Sequence, residues 1–207
     1  MKISLRIIGT AFLICLAAPD LFAGGRFALG PELGFVYQSH RDPTGHHSAW
    51  APGIPIGLSG IYEFNGDLAH LALTYSLGYL WTPKLTYRQV TIGGITGTYR
   101  ENLGIFHWLF GARYYFGKSP WRPFAGMDVG FEYFRRGSVE FRNQFNTLQP
   151  TPPYSNHVNL TLSPQFGIEY RPTFRWAFGI SLKTPMAIRR SGIVPGIAIP
   201  LSVHVAF

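Results

Sequence analysis

From about residue 25 onward, apolar residues alternate with polar or small residues at a period of two. This alternation predicts β-strands that each have one apolar face and one polar face. Eight segments show it, and their ends are defined to within a few residues. The predicted strands are 25–39, 52–64, 68–90, 96–116, 121–141, 156–171, 174–189 and 193–207.

The composition of the two faces separates a membrane barrel from a soluble sheet. In the third segment, Leu71, Tyr75 and Tyr79 share one face, while His70 and Thr74 lie on the other. A soluble sandwich would carry Lys and Glu on its outer face. Here the polar face is mostly Gly, Ser, Thr and Ala, with a few ionisable groups on that one parity. The pattern predicts an all-β fold, an eight-stranded antiparallel transmembrane β-barrel with lipid outside and side chains filling the lumen.

The connections and the prolines refine this prediction. An even strand count puts both termini on one side, which we expect to be the periplasm, with short turns there and longer loops outside. Lys84 to Tyr99 alternates around Gly93-Gly94, which predicts a hairpin that projects past the bilayer. Because each proline removes a ladder hydrogen bond, we expect bulges at them. The predicted external loops are Ser39–Gly53, the region around Gly93, Arg135–Asn156 and Arg189–Gly192. The prolines concerned are Pro31, Pro55, Pro164, Pro185, Pro195 and Pro200.

The N-terminus predicts an export signal. Lys2 and Arg6 precede a short apolar run, and Ala23 offers a cleavage site before Gly24. The run is shorter than the roughly 20 residues that a spanning helix needs. We therefore predict a cleaved signal peptide at 1–23 and one barrel domain at 24–207.

Cleavage changes the charge and the cysteine content. It removes two of the 18 basic residues and one of the ten acidic residues, so the net charge falls from +8 to +7. It also removes Cys15, the only cysteine, which leaves no possible disulfide.

Two runs resemble a known family. Gly111-Ala112-Arg113-Tyr114-Tyr115-Phe116 and Arg122–Gly130 resemble the hairpin between the fourth and fifth strands of small outer-membrane barrels, the outer-membrane protein A, W and X-like group. The final strand, which ends on Phe207, completes the resemblance. It implies a multi-pass protein of the bacterial outer membrane, with Phe207 as the signal for the barrel assembly machinery. The family includes adhesins, small channels, resistance factors and lipid-modifying enzymes, so the fold leaves the function open.

Seven charged residues should point into the lumen. They could form an ion or proton path, or a salt-bridged plug, because charges in a low-dielectric bore must be paired. We predict the plug, with Arg113 and Lys183 serving several carboxylates. The seven residues are Glu32, Glu63, Arg113, Asp128, Glu132, Glu169 and Lys183.

Basic residues concentrate at the predicted external side. Arginine binds phosphate bidentately, and lipopolysaccharide presents phosphates at that level. Simple loop solubility is the alternative, but few acidic residues are interspersed. We predict contact with lipopolysaccharide through Arg135, Arg136, Arg189 and Arg190. Arg41, Lys84, Arg88, Arg100 and Arg142 complete the basic rim.

Catalysis and metal binding find weaker support. Ser155 and His157 are candidates for a nucleophile and base, but lipid A deacylases carry a His-x-Ser-Asn order and this chain has Ser155-Asn156-His157. His40, Asp42, His46 and His47 suit a transition metal, yet we interpret them as solvated loop residues.

The prediction is a monomer with a structural or surface-binding role and outer-membrane lipid as its surroundings, without catalysis, cofactor, metal or nucleic-acid partner. A small-solute or ion channel is the first alternative, and a lipid A-modifying enzyme is the second.

Overall fold

The computed structural model describes residues 25–41, 48–117, 119–151, 156–189 and 192–207, so the predicted signal peptide lies outside the described residues. The strands are β1 (Arg26–Arg41), β2 (Ser48–Glu63), β3 (Leu71–Trp81), β4 (Leu85–Ile92), β5 (Ile95–Tyr115), β6 (Trp121–Asn143), β7 (Leu148–Gln149), β8 (His157–Tyr170), β9 (Trp176–Lys183), β10 (Met186–Arg189) and β11 (Gly192–Ala206). None of these residues belongs to a helix long and apolar enough to cross a membrane.

Eight strand positions close into a ring. The antiparallel order is β1, β2, β3, β5, β6, β8, β9 and β11, and β11 pairs with β1. β10 continues β9 in the same register against β8 and β11. β4 and β7 lie beyond the ring as partners of β5 and β6. The predicted eight-stranded antiparallel barrel is confirmed.

The strands are strongly staggered around the ring. From Val36, the cross-strand partners run through Ala198, Lys183, Gln165, Gly126, Arg113, Ala72 and Glu63 to Arg26. One circuit therefore returns to β1 ten residues from its start. Stagger and strand number together fix the strand tilt and the diameter of a barrel, and eight strands enclose a bore that side chains can fill.

The expectation of bulges at the prolines is wrong. β1 keeps the same register with β2 on both sides of Pro55, and with β11 on both sides of Pro31. At Thr184-Pro185 the strand is interrupted, but the backbone amides of Thr184 and Gly196 still donate to Pro164 and Pro185. A missing N–H therefore leaves a gap in the ladder, while the neighbouring strands hold the register.

The two ends of the barrel differ. At the short-turn end lie the start of β1, the end of β11 and the connections 64–70, 116–120 and 171–175. At the long-strand end, β5 and β6 extend well past the ring. The expected loops at Ser39–Gly53 and Arg135–Asn156 are too long, because β1, β2 and β6 run through much of them.

The outer wall is apolar and has an aromatic girdle near each end. Large hydrophobic side chains are exposed all around the ring, as a lipid-facing surface requires. The girdle at the short-turn end consists of Phe27, Tyr114, Phe116, Trp121, Trp176 and Phe178. The girdle at the long-strand end consists of Tyr37, Trp50, Trp81, Phe106 and Tyr133.

Three neighbouring strands bend just above the second girdle. The β5–β6 register shifts between Glu101 and Leu103, and the chain breaks between β3 and β4 at residues 82–84. Bulges bend the strand that carries them. Beyond this line, β4, β7 and the outer parts of β5 and β6 form the projecting sheet, and the expected β4–β5 hairpin is confirmed, with positive φ at both Gly93 and Gly94.

The projecting sheet packs over the long-strand end of the lumen. Its inward side chains and the last inward residues of the barrel wall form one buried apolar cluster, which we name the cap. The cap consists of Val36, Ala51, Leu80, Leu85, Tyr87, Val90, Tyr99, Leu103, Ile105, Phe134, Phe141 and Ala198. This apolar layer covers a largely polar lumen.

Candidate functional site in the lumen and on the projecting sheet

All seven predicted lumen residues are buried on the inner face of the ring, where the alternating parity placed them. They do not form one network, however. The structure separates them into a cluster at the short-turn end, a cluster in the middle, and Glu132 near the cap.

At the short-turn end, Glu63 is surrounded by arginines. Arg171 binds its carboxylate through two guanidinium nitrogens, Arg122 lies 3.1 Å away and Arg26 lies 3.7 Å away. Bidentate arginine–carboxylate pairs are among the stronger polar contacts in proteins. This cluster links β1, β2, β6 and the end of β8 across the lumen.

The same cluster includes Glu169 and an aromatic ring. Arg171 also pairs with Glu169, which accepts a hydrogen bond of 3.1 Å from the Tyr115 hydroxyl. The Arg122 guanidinium lies 4.1 Å from the centre of the Tyr115 ring. Cation–π contact of this kind stabilises a desolvated arginine, so the charges at the short-turn end are both paired and stacked.

In the middle of the lumen, Lys183 bridges two carboxylates. Its ammonium lies 3.6 Å from Glu32 and 3.4 Å from Asp128. Asp128 Oδ1 also accepts hydrogen bonds from Thr74 (2.9 Å) and from the Gln165 amide (2.7 Å). The expected role of Lys183 as a shared partner therefore has a matching geometry.

Arg113 differs from the expectation. Among the described residues it makes no salt bridge; it donates to Gln165 Oε1 at 3.1 Å and stacks over Phe124 at 4.4 Å. The arginine partners of Glu63 and Glu169 are Arg26, Arg122 and Arg171 instead, none of which was predicted to be a lumen residue. Their parity matches that of Glu32, Asp128 and Glu169 on the same strands, so the alternation could have revealed them.

A buried ion pair joins the projecting sheet to the cap. Glu101 is fully buried, lies 3.4 Å from Arg136 and accepts a hydrogen bond from the Tyr99 hydroxyl. Burial raises the pKa of Glu101 above its usual range, although Arg136 opposes the shift. Arg136 is the last inward residue of β6 before the bend, which explains why its side chain points away from Arg135.

Two of the four predicted lipopolysaccharide contacts therefore face inward. Arg136 pairs with Glu101, and Arg189 stacks over the Phe134 ring at 4.5 Å. Their expected place on an exposed rim is wrong, because inward parity persists up to the bend. Arg135 is exposed, and Arg190 lies outside the described residues.

Exposed basic side chains lie on the outer face of the projecting sheet and on the adjoining outer face of β6 just below the bend. Arg88 on β4, Arg100 on β5 and Arg135 on β6 are all exposed. Lys84 donates to Glu140 at 2.9 Å, and this bond lowers the pKa of Glu140. One acidic group thus lies among several basic ones, and the surface is net positive.

The remaining candidates divide between buried and undescribed residues. His40 is a buried residue of β1 and not a solvated loop residue; burial, with Arg189 nearby, lowers its pKa to about 4. His157 stacks on Phe134 with ring centres 4.9 Å apart. Ser155, Asp42, His46 and His47 lie outside the described residues. Within those residues, no three His, Cys, Asp or Glu side chains are grouped to hold a metal.

Comparison with solved structures gives the fold. Neisserial surface protein A matches with a TM-score of 0.57 at 14% identity, covering 89% of this chain and 99% of that chain. The chain has the fold of the small eight-stranded outer-membrane β-barrels. OprG from Pseudomonas aeruginosa matches with a TM-score of 0.47 at 11% identity, covering 88% of this chain and 94% of that chain. Ail from Yersinia pestis matches with a TM-score of 0.46 at 13% identity, covering 88% of this chain and 97% of that chain. No protein-family model and no curated protein matches the sequence.

Proposed function

We propose that this protein is an outer-membrane barrel with a closed lumen and a surface-binding role, whose projecting sheet contacts lipopolysaccharide. The termini lie in the periplasm, and the long-strand end faces outward. The asymmetry of the barrel supports this orientation, since outer-membrane barrels have short periplasmic turns and longer external segments.

The observation that carries the proposal is the exposed basic face above the second girdle. Arg135 lies two residues beyond Tyr133 on β6, about 7 Å along the strand. A guanidinium at this height above the girdle would lie at the level of lipid headgroup phosphates under this proposal. Arg88 and Arg100 lie further out, on the projecting sheet, where they would reach phosphates on the attached oligosaccharide.

The interior supports a binding role over an open channel. Arginine–carboxylate pairs fill the short-turn end, and the apolar cap covers the other. A polar solute or ion crossing the lumen would have to displace both.

The test is a triple substitution, Arg88→Gln, Arg100→Gln and Arg135→Gln. We expect the variant to fold normally and to co-purify with less lipopolysaccharide, because charge-assisted hydrogen bonds to phosphate are lost. The measurement is lipopolysaccharide per mole of purified protein, with folding checked by heat-modifiable gel mobility.

Arg175→Gln serves as the matched control. Arg175 is exposed at the short-turn end, which faces the leaflet without lipopolysaccharide under this proposal. An equal loss from the control, or no loss from the triple variant, would show that the basic face is only a solvated surface.

A further inference from the structure

Glu132 differs from every other inward-facing carboxylate in the described part of the chain. Glu32, Glu63, Glu101, Asp128 and Glu169 each have a basic partner within 4 Å. Glu132 is 5% exposed and has none among the described residues, and its Oε2 atom has no hydrogen-bond partner. An ionised carboxylate buried without a partner is strongly disfavoured, so something must compensate it.

The groups around Glu132 are buried polar side chains with unused hydrogen-bonding capacity. Asn159 is its direct cross-strand partner on β8, and Thr161 lies one inward position further along that strand. Gln38 reaches the carboxyl group of Glu132 from β1, as Thr161 does from β8. The Asn159 and Gln38 amide nitrogens and the Thr161 hydroxyl all lack partners, and all three residues are more than nine-tenths buried.

We propose that Glu132, Asn159, Thr161 and Gln38 form a binding site for a small monovalent cation such as Na⁺, beneath the cap. A carboxylate, a hydroxyl and two amide side chains can supply four oxygen ligands. The amide groups present either oxygen or nitrogen by rotation about the last torsion. Oxygen ligands of this kind suit hard cations.

Charge selects a monovalent ion. The site contains one carboxylate, so one positive charge balances it. A divalent ion would leave excess positive charge in a poorly solvated interior, where an uncompensated charge is costly. Arg189, whose guanidinium stacks on the Phe134 ring, adds positive charge nearby and further disfavours a divalent ion.

The experiment compares Na⁺ with choline at constant ionic strength. Thermal unfolding of the purified barrel is followed while NaCl replaces choline chloride, because choline is too large for four converging side chains. The unfolding midpoint of the unmodified protein should rise with Na⁺, since a ligand that binds only the folded state stabilises it. Glu132→Gln should abolish the rise.

Two further variants keep the result interpretable. Glu140→Gln makes the same change on the outer face of the projecting sheet and should retain the full Na⁺ response. Thr161→Val removes one oxygen and should shift the response to higher Na⁺ concentration. Crystals soaked in Rb⁺ should show an anomalous peak between Glu132, Asn159 and Thr161.

Two outcomes would overturn the proposal. If the unmodified protein shows no Na⁺-specific shift, Glu132 is neutralised by its own proton and needs no ion. If the shift persists in Glu132→Gln, the ion binds elsewhere. Neither outcome affects the lipopolysaccharide proposal, which depends on arginines outside the lumen.

Discussion

Arg171 joins two carboxylates, Glu63 and Glu169, at the short-turn end of the lumen. Among the described residues, the one further side-chain hydrogen-bond partner of Glu169 is the Tyr115 hydroxyl. Arg171→Ala should lower the free energy of unfolding by about 3–5 kcal/mol, the usual effect of leaving a buried charge without its partner. Urea unfolding of the reconstituted barrel measures this.

Arg113→Ala provides the comparison. Arg113 contacts a neutral amide and an aromatic ring, and Asp128 keeps Lys183, Thr74 and Gln165 without it. We expect a smaller loss, about 1–3 kcal/mol. An equal or larger loss from Arg113→Ala would mean that the lumen charges act as one network and not as separate clusters.

His40 should make the barrel sensitive to acid. The unfolded imidazole binds a proton near pH 6.5, whereas burial holds the folded pKa at about 4. Between these values the unfolded state binds more protons, so the stability from neutral His40 is complete above pH 6.5 and is lost as pH falls towards 4. His40→Gln should therefore gain stability relative to the unmodified protein across this window.

Unfolding midpoints of both proteins, measured from pH 7 to pH 4, test this point. A constant difference between the two across that range would show that His40 titrates normally in the folded barrel.

At the scale of elements, the bend above the second girdle gives the projecting sheet its position. The bend reverses the parity of β6, so Arg136 faces inward below it, while Val139 and Phe141 face inward above it. A single parity carried along the whole strand would place these residues wrongly. The inward side of the projecting sheet therefore supplies apolar residues to the cap.

Phe141 should hold the projecting sheet against the barrel. Phe141→Ala removes a fully buried ring from the cap and should cost the sheet about 3–5 kcal/mol of local stability. We expect faster hydrogen exchange in β4 and the outer part of β5, with the membrane-spanning strands unchanged.

Phe145→Ala is the control, because Phe145 lies on the turn before β7 with 77% of its surface exposed. It should change exchange rates little, since exposed substitutions shift stability by about 0.5 kcal/mol or less. Faster exchange throughout the ring in the Phe141 variant would show that the sheet and the barrel unfold as one unit.

At the scale of the whole molecule, deletion of Phe207 tests the assembly of the barrel separately from its stability. Its amide donates to Phe27 O at 3.0 Å, while 82% of the residue's surface is exposed. Deletion of Phe207 therefore removes little from the folded barrel. If the residue is an assembly signal, the deletion should reduce folded protein in the outer membrane and leave the stability of refolded protein nearly unchanged.

The measurements are the heat-modifiable fraction in membranes and the urea midpoint after refolding in detergent. A normal membrane fraction would contradict the assembly role. A large fall in the urea midpoint would instead assign the effect to barrel closure.

The sequence by itself determined the strand number, the closed antiparallel ring and the inward or outward side of most residues within the bilayer. The reason is that a strand has a strict period of two, and lipid on one side imposes it over eight segments. The seven lumen charges could be found in this way, and Arg26, Arg122 and Arg171 follow from the same parity. The double glycine at 93–94 likewise indicated the β4–β5 hairpin, because both positions adopt positive φ.

Only the tertiary structure decided which charges meet. Pairing across the lumen depends on the ten-residue stagger of the ring, which brings Arg171 to Glu63 from strands far apart in sequence. It also depends on the bend that turns Arg136 inward and leaves Arg135 exposed. Glu132 has the same alternation as Asp128, but its lack of a salt-bridge partner among the described residues arises from where the other strands place their basic groups.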